Sequence, residues 1–258
     1  MRNVAGEDNS ENENEIEVNL DPPTKTEIQL ALSQLENGKA AGLDNIYPEV
    51  LKVYTEITAE MLYALLEKIW KEEDIPEDWE EGLIIKILKK GDLSNCNNWR
   101  GVTLLSMPSK ILTRIILNRT QNTAEQHLQK EQAGFRKHRS CDDLINTLRR
   151  ILEQSIEWQA ILYVTFIDSE KAFDSVKREI KWLTLQEYCI PRKIIQIIKI
   201  LYDGYKCKIS HEGKLSDFIW GQKWCRARMY STPNPFSADI RQSHEKSERF
   251  KEKWNTVE

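Results

Sequence analysis

An α+β fold is predicted for this chain on three observations. Apolar residues recur at helical spacing in several stretches of ten or more residues. Short runs rich in β-formers, closed by glycine turns, lie between them. Helices and hairpins follow one another without an internal repeat, which points to a mixed fold and away from a repeat array.

Taken in order, residues 1–20 are acidic, polar and Asn-rich and are expected to be disordered. In "DPPTKTEIQLALSQLENG", Thr24 followed by Glu27 has the spacing of a capping box. Ile28, Leu32 and Leu35 then mark one helical face, and Gly38 is the expected stop. "YPEVLKVYTEITAEMLYALLEKIWKEEDIPEDW" predicts one or two further helices ended by Pro76. "EGLIIKILKKGD" mixes apolar and basic residues before a turn at Gly91-Asp92, a strand entering a hairpin. "VTLLSMPSKILTRIILNRTQNTAEQHL" is strand-like before Pro108 and helical after it. "CDDLINTLRRILEQSIEWQ" is helical through Leu144, Leu148, Ile151 and Leu152, with Asp142 or Asp143 as its cap. "AILYVTFID" predicts a core strand ending at Asp168. Two helices follow, in "SVKREIKWLTLQEYCI" and "RKIIQIIKILYDG". "YKCKIS", the turn "HEGK" and "LSDFIW" close the pattern as a hairpin.

At 258 residues the chain can bury a sizeable core in one large domain or two small ones. A 40% hydrophobic, 30% charged composition is that of a soluble globular protein. No apolar run reaches the ~20 residues of a membrane span, and "MRNVAGEDNSENENEIEVNLD" has no apolar signal core, so intracellular residence is expected. Five cysteines without a CxxC pair fit a reduced protein lacking a structural zinc site. The net charge of −4 hides an asymmetry: residues 1–21 carry seven acids and one base, leaving +2 for the rest. Between Gly82 and Arg150, thirteen Lys and Arg face five Asp and Glu, a net of +8. Such a stretch is either a solvated face or a surface for phosphate backbones.

The chemistry-bearing stretch is "VTFIDSEKAFDSV". A carboxylate where a strand runs out is placed to hold a divalent cation, and equally to cap the next helix. Asp174, directly before Ser175 and a helical pattern, reads as a cap. Lys171 pairs with either acid or faces solvent, and Phe173 alone would read as core.

Four stretches together resemble the reverse transcriptases of non-LTR (LINE-type) retrotransposons, in the family's order. They are "NGKAAGLDNIYPEVLK", "LIIKILKKGDLSNCNNWRGVTLLSMPSKILTRIILNR", "EQAGFRKHRSCDDLI" and "FIDSEKAFDSV", and they span about Pro22 to Trp220. The resemblance implies an RNA-directed DNA polymerase, a nucleotidyltransferase with right-hand fingers, a partial palm and a helical N-terminal extension. It implies boundaries of 21–80 for the extension, 81–140 for the fingers, 141–220 for the partial palm and 221–258 for a divergent tail. It implies Mg²⁺ as cofactor in a two-metal site, with RNA template, DNA primer and dNTPs as partners, in nucleus or cytoplasm. By resemblance Asp168 is the catalytic, metal-binding carboxylate, and Ser169 lends its carbonyl to an ion. Phe173 is the gate that crowds a ribose 2′-hydroxyl. Lys89, Lys90 and Arg100 contact the incoming triphosphate, and Arg136 and Arg139 contact the template.

Two departures temper the activity. After Asp174 no adjacent Asp-Asp occurs, so the family's second acid motif is missing and the chain is expected to be truncated before it. At "GQKWCRARMYSTPNPFSADI" the family's Gly-Val-Arg-Gln-Gly-Cys-type loop is missing too. A shift of one nucleotide restores much of it: Trp-Cys codons then force Gly, Met-Tyr codons force Cys, and the codons between admit Val, Gly, Gln and Gly. A change of reading frame near Gly221 is therefore expected. The implied function is a polymerase-domain fragment inactive by itself, with a nucleic-acid-binding remnant as the alternative.

Overall fold

The computed structural model of the chain describes residues 18–89, 91–95, 98–134, 136, 138–168, 177–211 and 213–220. The expectations for residues 1–17 and for the divergent tail at 221–258 lie outside these.

Helix α1 (Lys25–Ser33) starts on the capping box that its sequence announces. Thr24 Oγ1 accepts the Glu27 amide at 3.2 Å, and the Glu27 carboxylate accepts the Thr24 amide at 2.8 Å. Two donors that a helix start leaves orphaned are so paired. The helix caps at Gln34, short of Gly38, whose amide instead donates to the Glu49 carboxylate. Helix α2 (Pro48–Val53) opens on proline, where a missing N–H is harmless. Helix α3 (Thr55–Glu72) buries Ala59, Leu62, Leu66, Ile69 and Trp70 on one stripe. A short 3-10 turn (Glu77–Trp79) then leads into the sheet.

Strands β1 (Glu81–Leu88) and β2 (Trp99–Leu104) form the predicted hairpin, in register from Leu83 opposite Leu104 to Leu88 opposite Trp99. Helix α4 (Met107–His127) follows, with Pro108 in its first turn and Ser106 as its cap. The 34–47 loop is bolted to this helix start. Asp44 accepts the Met107 amide at 3.0 Å and the Ile46 amide at 3.3 Å. Gly42 lies so close to the Leu105–Ser106 backbone that a Cβ there would sit 2.5 Å from the Leu105 carbonyl carbon. Lys52 holds the loop's other side through the Leu35 carbonyl at 2.8 Å and Asn37 Oδ1 at 2.9 Å. Desolvation of half-buried Lys110 pulls its ammonium pKa down, against the attraction of Asp44.

Helices α6 (Arg178–Glu187) and α7 (Arg192–Tyr202) complete a shared helical core with α1, α3 and α4. Ile28, Leu32, Leu66, Trp70, Ile111, Ile115 and Ile194 are all fully buried there. Each such aliphatic side chain contributes about 1.5–3 kcal/mol relative to exposure. An Arg119 clasp pins the incoming chain to this core. Its side chain is 4% exposed, and the guanidinium engages Glu27 with two bonds, 2.6 and 2.7 Å. It also donates to the carbonyls of Asn19, Asp21 and Pro22 and lies 4.9 Å over the Trp70 ring.

Strand β3 (Lys206–His211) pairs with β1 in parallel, from Glu81 beside Lys206 to Ile85 beside Ser210. β4 (Lys214–Leu215) and β5 (Ile219–Trp220) pair antiparallel with β3, as the hairpin pattern predicted. The sheet order is β2-β1-β3-β4, with β5 also on β3. Gly82 admits the Tyr205 ring across β1: a Cβ there would meet the Tyr205 hydroxyl at 1.9 Å. Ile84, Leu105, Tyr205 and Cys207 form a second, smaller core on that face.

Helix α5 (Cys141–Glu157) is present as predicted, but its cap is Ser140, with Asp143 completing the capping box. None of its residues is buried. The expectation of a core strand over "AILYVTFID" is corrected: residues 160–168 form neither helix nor strand. Tyr163 is 89% exposed and Phe166 82%. A strand exists only with a neighbour to pair its amides, and none of the five described strands pairs with this run.

Candidate nucleic-acid interface

The β1–β2 hairpin presents its cations at the far end. Lys89 is exposed just past β1, its amide donating to the Asn98 carbonyl at 2.8 Å. The turn beyond it is ordered by Asp92, which accepts the Ser94 amide at 2.9 Å and the Ser94 hydroxyl at 2.6 Å. Those two bonds hold the Asp92 carboxyl below its ordinary value, the hydroxyl contributing most. Trp99 donates Nε1 to the Leu93 carbonyl at 3.0 Å and supports Lys86, whose ammonium lies 4.5 Å from its ring centroid. Arg100 is exposed opposite Ile87.

Strand register places more charge on the face of Arg100 than the motifs predicted. Side chains alternate across a strand, and paired residues share a face. Leu83, Ile85 and Ile87 therefore share one face with Arg100, with Lys206 beside Glu81 and with Lys208 beside Leu83. Lys206 pairs with Glu81 at 3.1 Å. Lys206 and Lys208 both lie over the Phe218 ring, at 4.7 and 4.2 Å from its centroid. The period-two spacing in "KCKIS" signals that Lys206 and Lys208 share a face. Only the parallel pairing with β1 brings them beside the hairpin. The result is an apolar stripe edged by cations.

The remaining predicted residues are not brought to one site. Asp168 is exposed at the end of the irregular 160–168 run, and its expected place at a strand end is corrected with that strand. Ser169, Phe173 and Lys90 lie outside the described residues. Among the described residues no group of three or more His, Cys, Asp or Glu comes together that could hold a metal ion. Among the described residues Asp168 is the one carboxylate of the implied metal motif, and a two-ion site needs further donors beside it. Arg139 is exposed on the α4–α5 connection. Arg136 is not free: its guanidinium is committed to Glu125 and to the carbonyls of Gln129 and Gln132. No described helix is long and apolar enough to cross a membrane.

Known proteins share parts of this sequence. The pattern of the reverse transcriptase (RNA-dependent DNA polymerase) family matches residues 87–223, more than half of the chain. The uncharacterized 149 kDa protein of transposon TX1 from Xenopus laevis is 26% identical over 188 residues, 73% of this chain and 14% of that protein. A probable RNA-directed DNA polymerase from transposon BS of Drosophila melanogaster is 28% identical over 160 residues, 61% of this chain and 18% of that protein. The RNA-directed DNA polymerase from mobile element jockey of Drosophila funebris is 25% identical over 196 residues, 75% of this chain and 21% of that protein. The chain thus spans only a seventh to about a fifth of the length of these curated relatives.

Proposed function

We propose, from the premise that the chain belongs to the reverse transcriptase family, that it is the nucleic-acid-gripping portion of an RNA-directed DNA polymerase from a non-LTR retrotransposon. In this reading β1 and β2, within residues 81–140, serve as polymerase fingers, residues 141–220 with the β3 hairpin as a partial palm and residues 21–80 as a helical extension. The observation that carries it is the sheet face where Arg100 and Lys208 edge an apolar stripe, with Lys89 at the hairpin's end. Cations on a surface that offers apolar and aromatic contact suit a phosphate backbone with its bases. Lys89 and Arg100 are assigned to the triphosphate of a dNTP, and Arg139 to the RNA template. Asp168 is assigned to the catalytic metal, with Ser169 and Phe173 in the implied supporting roles.

The 258-residue chain by itself is assigned binding without synthesis. Its sequence after Asp174 holds no adjacent acid pair to join Asp168. Purified chain is expected to bind an RNA–DNA duplex with log K falling linearly against log salt. Lys208→Ala is expected to reduce that slope by about 0.9, whereas Arg100→Ala is expected to weaken dNTP binding and leave the slope unchanged. No primer extension with dNTPs is expected. Extension that disappears in Asp168→Ala would overturn the inactive assignment. Failure to bind at about 50 mM salt would overturn the nucleic-acid reading.

The family match stops at residue 223, beside the frame change expected near Gly221. Reading the encoding nucleotides one position on is expected to give a Gly-Val-x-Gln-Gly-Cys-type loop, with an Asp-Asp turn downstream. A nucleotide sequence lacking both in every frame removes the idea.

A further inference from the structure

The connection between α4 and α5 carries two arginines that the motifs treated alike and the structure separates. The Arg136 side chain is 7% exposed. Its Nε donates to Glu125 Oε1 at 2.8 Å, and Nη2 donates to the same oxygen. Its Nη1 donates to the carbonyls of Gln129 at 2.7 Å and Gln132 at 3.1 Å. Four bonds draw on the five N–H donors of a guanidinium, which leaves little for a phosphate. Around it the chain makes two tight turns, Gln132 to Gln129 and Arg136 to Ala133, over buried Leu128 and Ala133. Three residues on, Arg139 is exposed, and Ser140 directly after it caps α5. The same construction recurs at Arg119 on α4, where one guanidinium binds one glutamate and three backbone carbonyls.

We infer that Arg136 is a positioning residue whose clamp to Glu125 sets the α4–α5 connection so that Arg139 meets the nucleic-acid backbone. Its own charge is neutralised by Glu125 and takes no part in the electrostatic grip. The inference rests on the nucleic-acid reading above and divides labour within it.

Glu125 makes the test sharp, because charge and clamp predict opposite signs. Removing an acid beside a basic surface tightens polyanion binding if charge alone acts. With the clamp, Glu125→Gln weakens binding to a fluorescent RNA–DNA duplex several-fold. Arg139→Ala lowers the salt slope by about 0.9 in the parent chain and by nothing further in the Glu125→Gln background. Arg136→Lys keeps the charge but loses the fork, so it behaves as Glu125→Gln does. The inference is overturned if Glu125→Gln tightens or leaves binding unchanged, or if Arg139→Ala acts additively with it. A parent chain that binds no duplex at low salt ends the reading of the preceding subsection instead. Trypsin then decides the clamp: Glu125→Gln and Arg136→Lys should each speed cleavage at the basic sites between Lys130 and Arg139 and leave cuts outside this connection unchanged. An unaltered rate in both variants overturns it.

Discussion

Gly42→Ala is expected to lower the thermal midpoint of the chain by about 10 °C, on a cost of about 3 kcal/mol at 2–4 °C per kcal/mol. The added methyl would lie 2.5 Å from the Leu105 carbonyl carbon, 2.6 Å from its oxygen and 2.9 Å from the Ser106 nitrogen. All three are backbone atoms at the junction of β2 and α4, so no side-chain rotation relieves the clash. Moving the loop away also pulls Asp44 off the Met107 amide, which frays the start of α4. Gly134→Ala is the control, because a Cβ there meets nothing within 4 Å. Thermal melts followed by circular dichroism compare the two. A Gly42→Ala midpoint within a degree or two of the control would show that the loop does not press on this junction.

The second large effect belongs to Arg119. Arg119→Ala leaves Glu27 partly buried without its partner, and the carbonyls of Asn19, Asp21 and Pro22 lose their donor. Removing one member of a buried ion pair costs about 3–5 kcal/mol. The pH dependence identifies the cause. Burial acts to raise the Glu27 pKa, but bonds from Arg119 and Thr24 outweigh it and the net value is lowered. A carboxylate whose folded pKa lies below its unfolded one stabilises fully above the unfolded value, about 4.3. That stability drains as pH falls through the folded value. In Arg119→Ala the opposing bonds are fewer, so the acid limb of the stability curve should move to higher pH. Urea melts at a series of pH values test this. A loss under about 1 kcal/mol with an unmoved acid limb would reduce the clasp to a surface ion pair.

Local features of this fold were legible in the sequence wherever a few neighbouring residues decide them. Thr24 and Glu27 start α1 because capping involves four consecutive residues. The β1–β2 and β3 hairpins follow from alternation and turn residues. Features set by distant partners were not legible. Residues 160–168 have the composition of a strand, yet composition supplies no neighbour to pair with, so the strand expected to end at Asp168 is not formed. The α5 cap was misplaced by a residue type: Asp142 and Asp143 looked like caps, and Ser140 holds that place while Asp143 answers it. Arg136 and Arg139 look alike in "GFRKHRS", and only the acid at Glu125 on the preceding helix tells them apart. The cationic sheet face was half legible: the alternation is local, but the parallel seam that adds Lys206 and Lys208 to Arg100 is not.

That seam also orders events while the chain is being made. β1 meets β2 across a turn of ten intervening residues, but β3 begins 118 residues after β1 ends. Closing so long a loop carries an entropic cost and slows folding. A nascent chain therefore emerges with its hairpin formed and the other edge of β1 open, its amides unpaired beside Leu83, Ile85 and Ile87. Such an edge is a template for foreign strands. Until residue 206 is synthesised, the interior strand of the finished sheet is an exposed border, and the emerging polypeptide is at its most vulnerable to aggregation there.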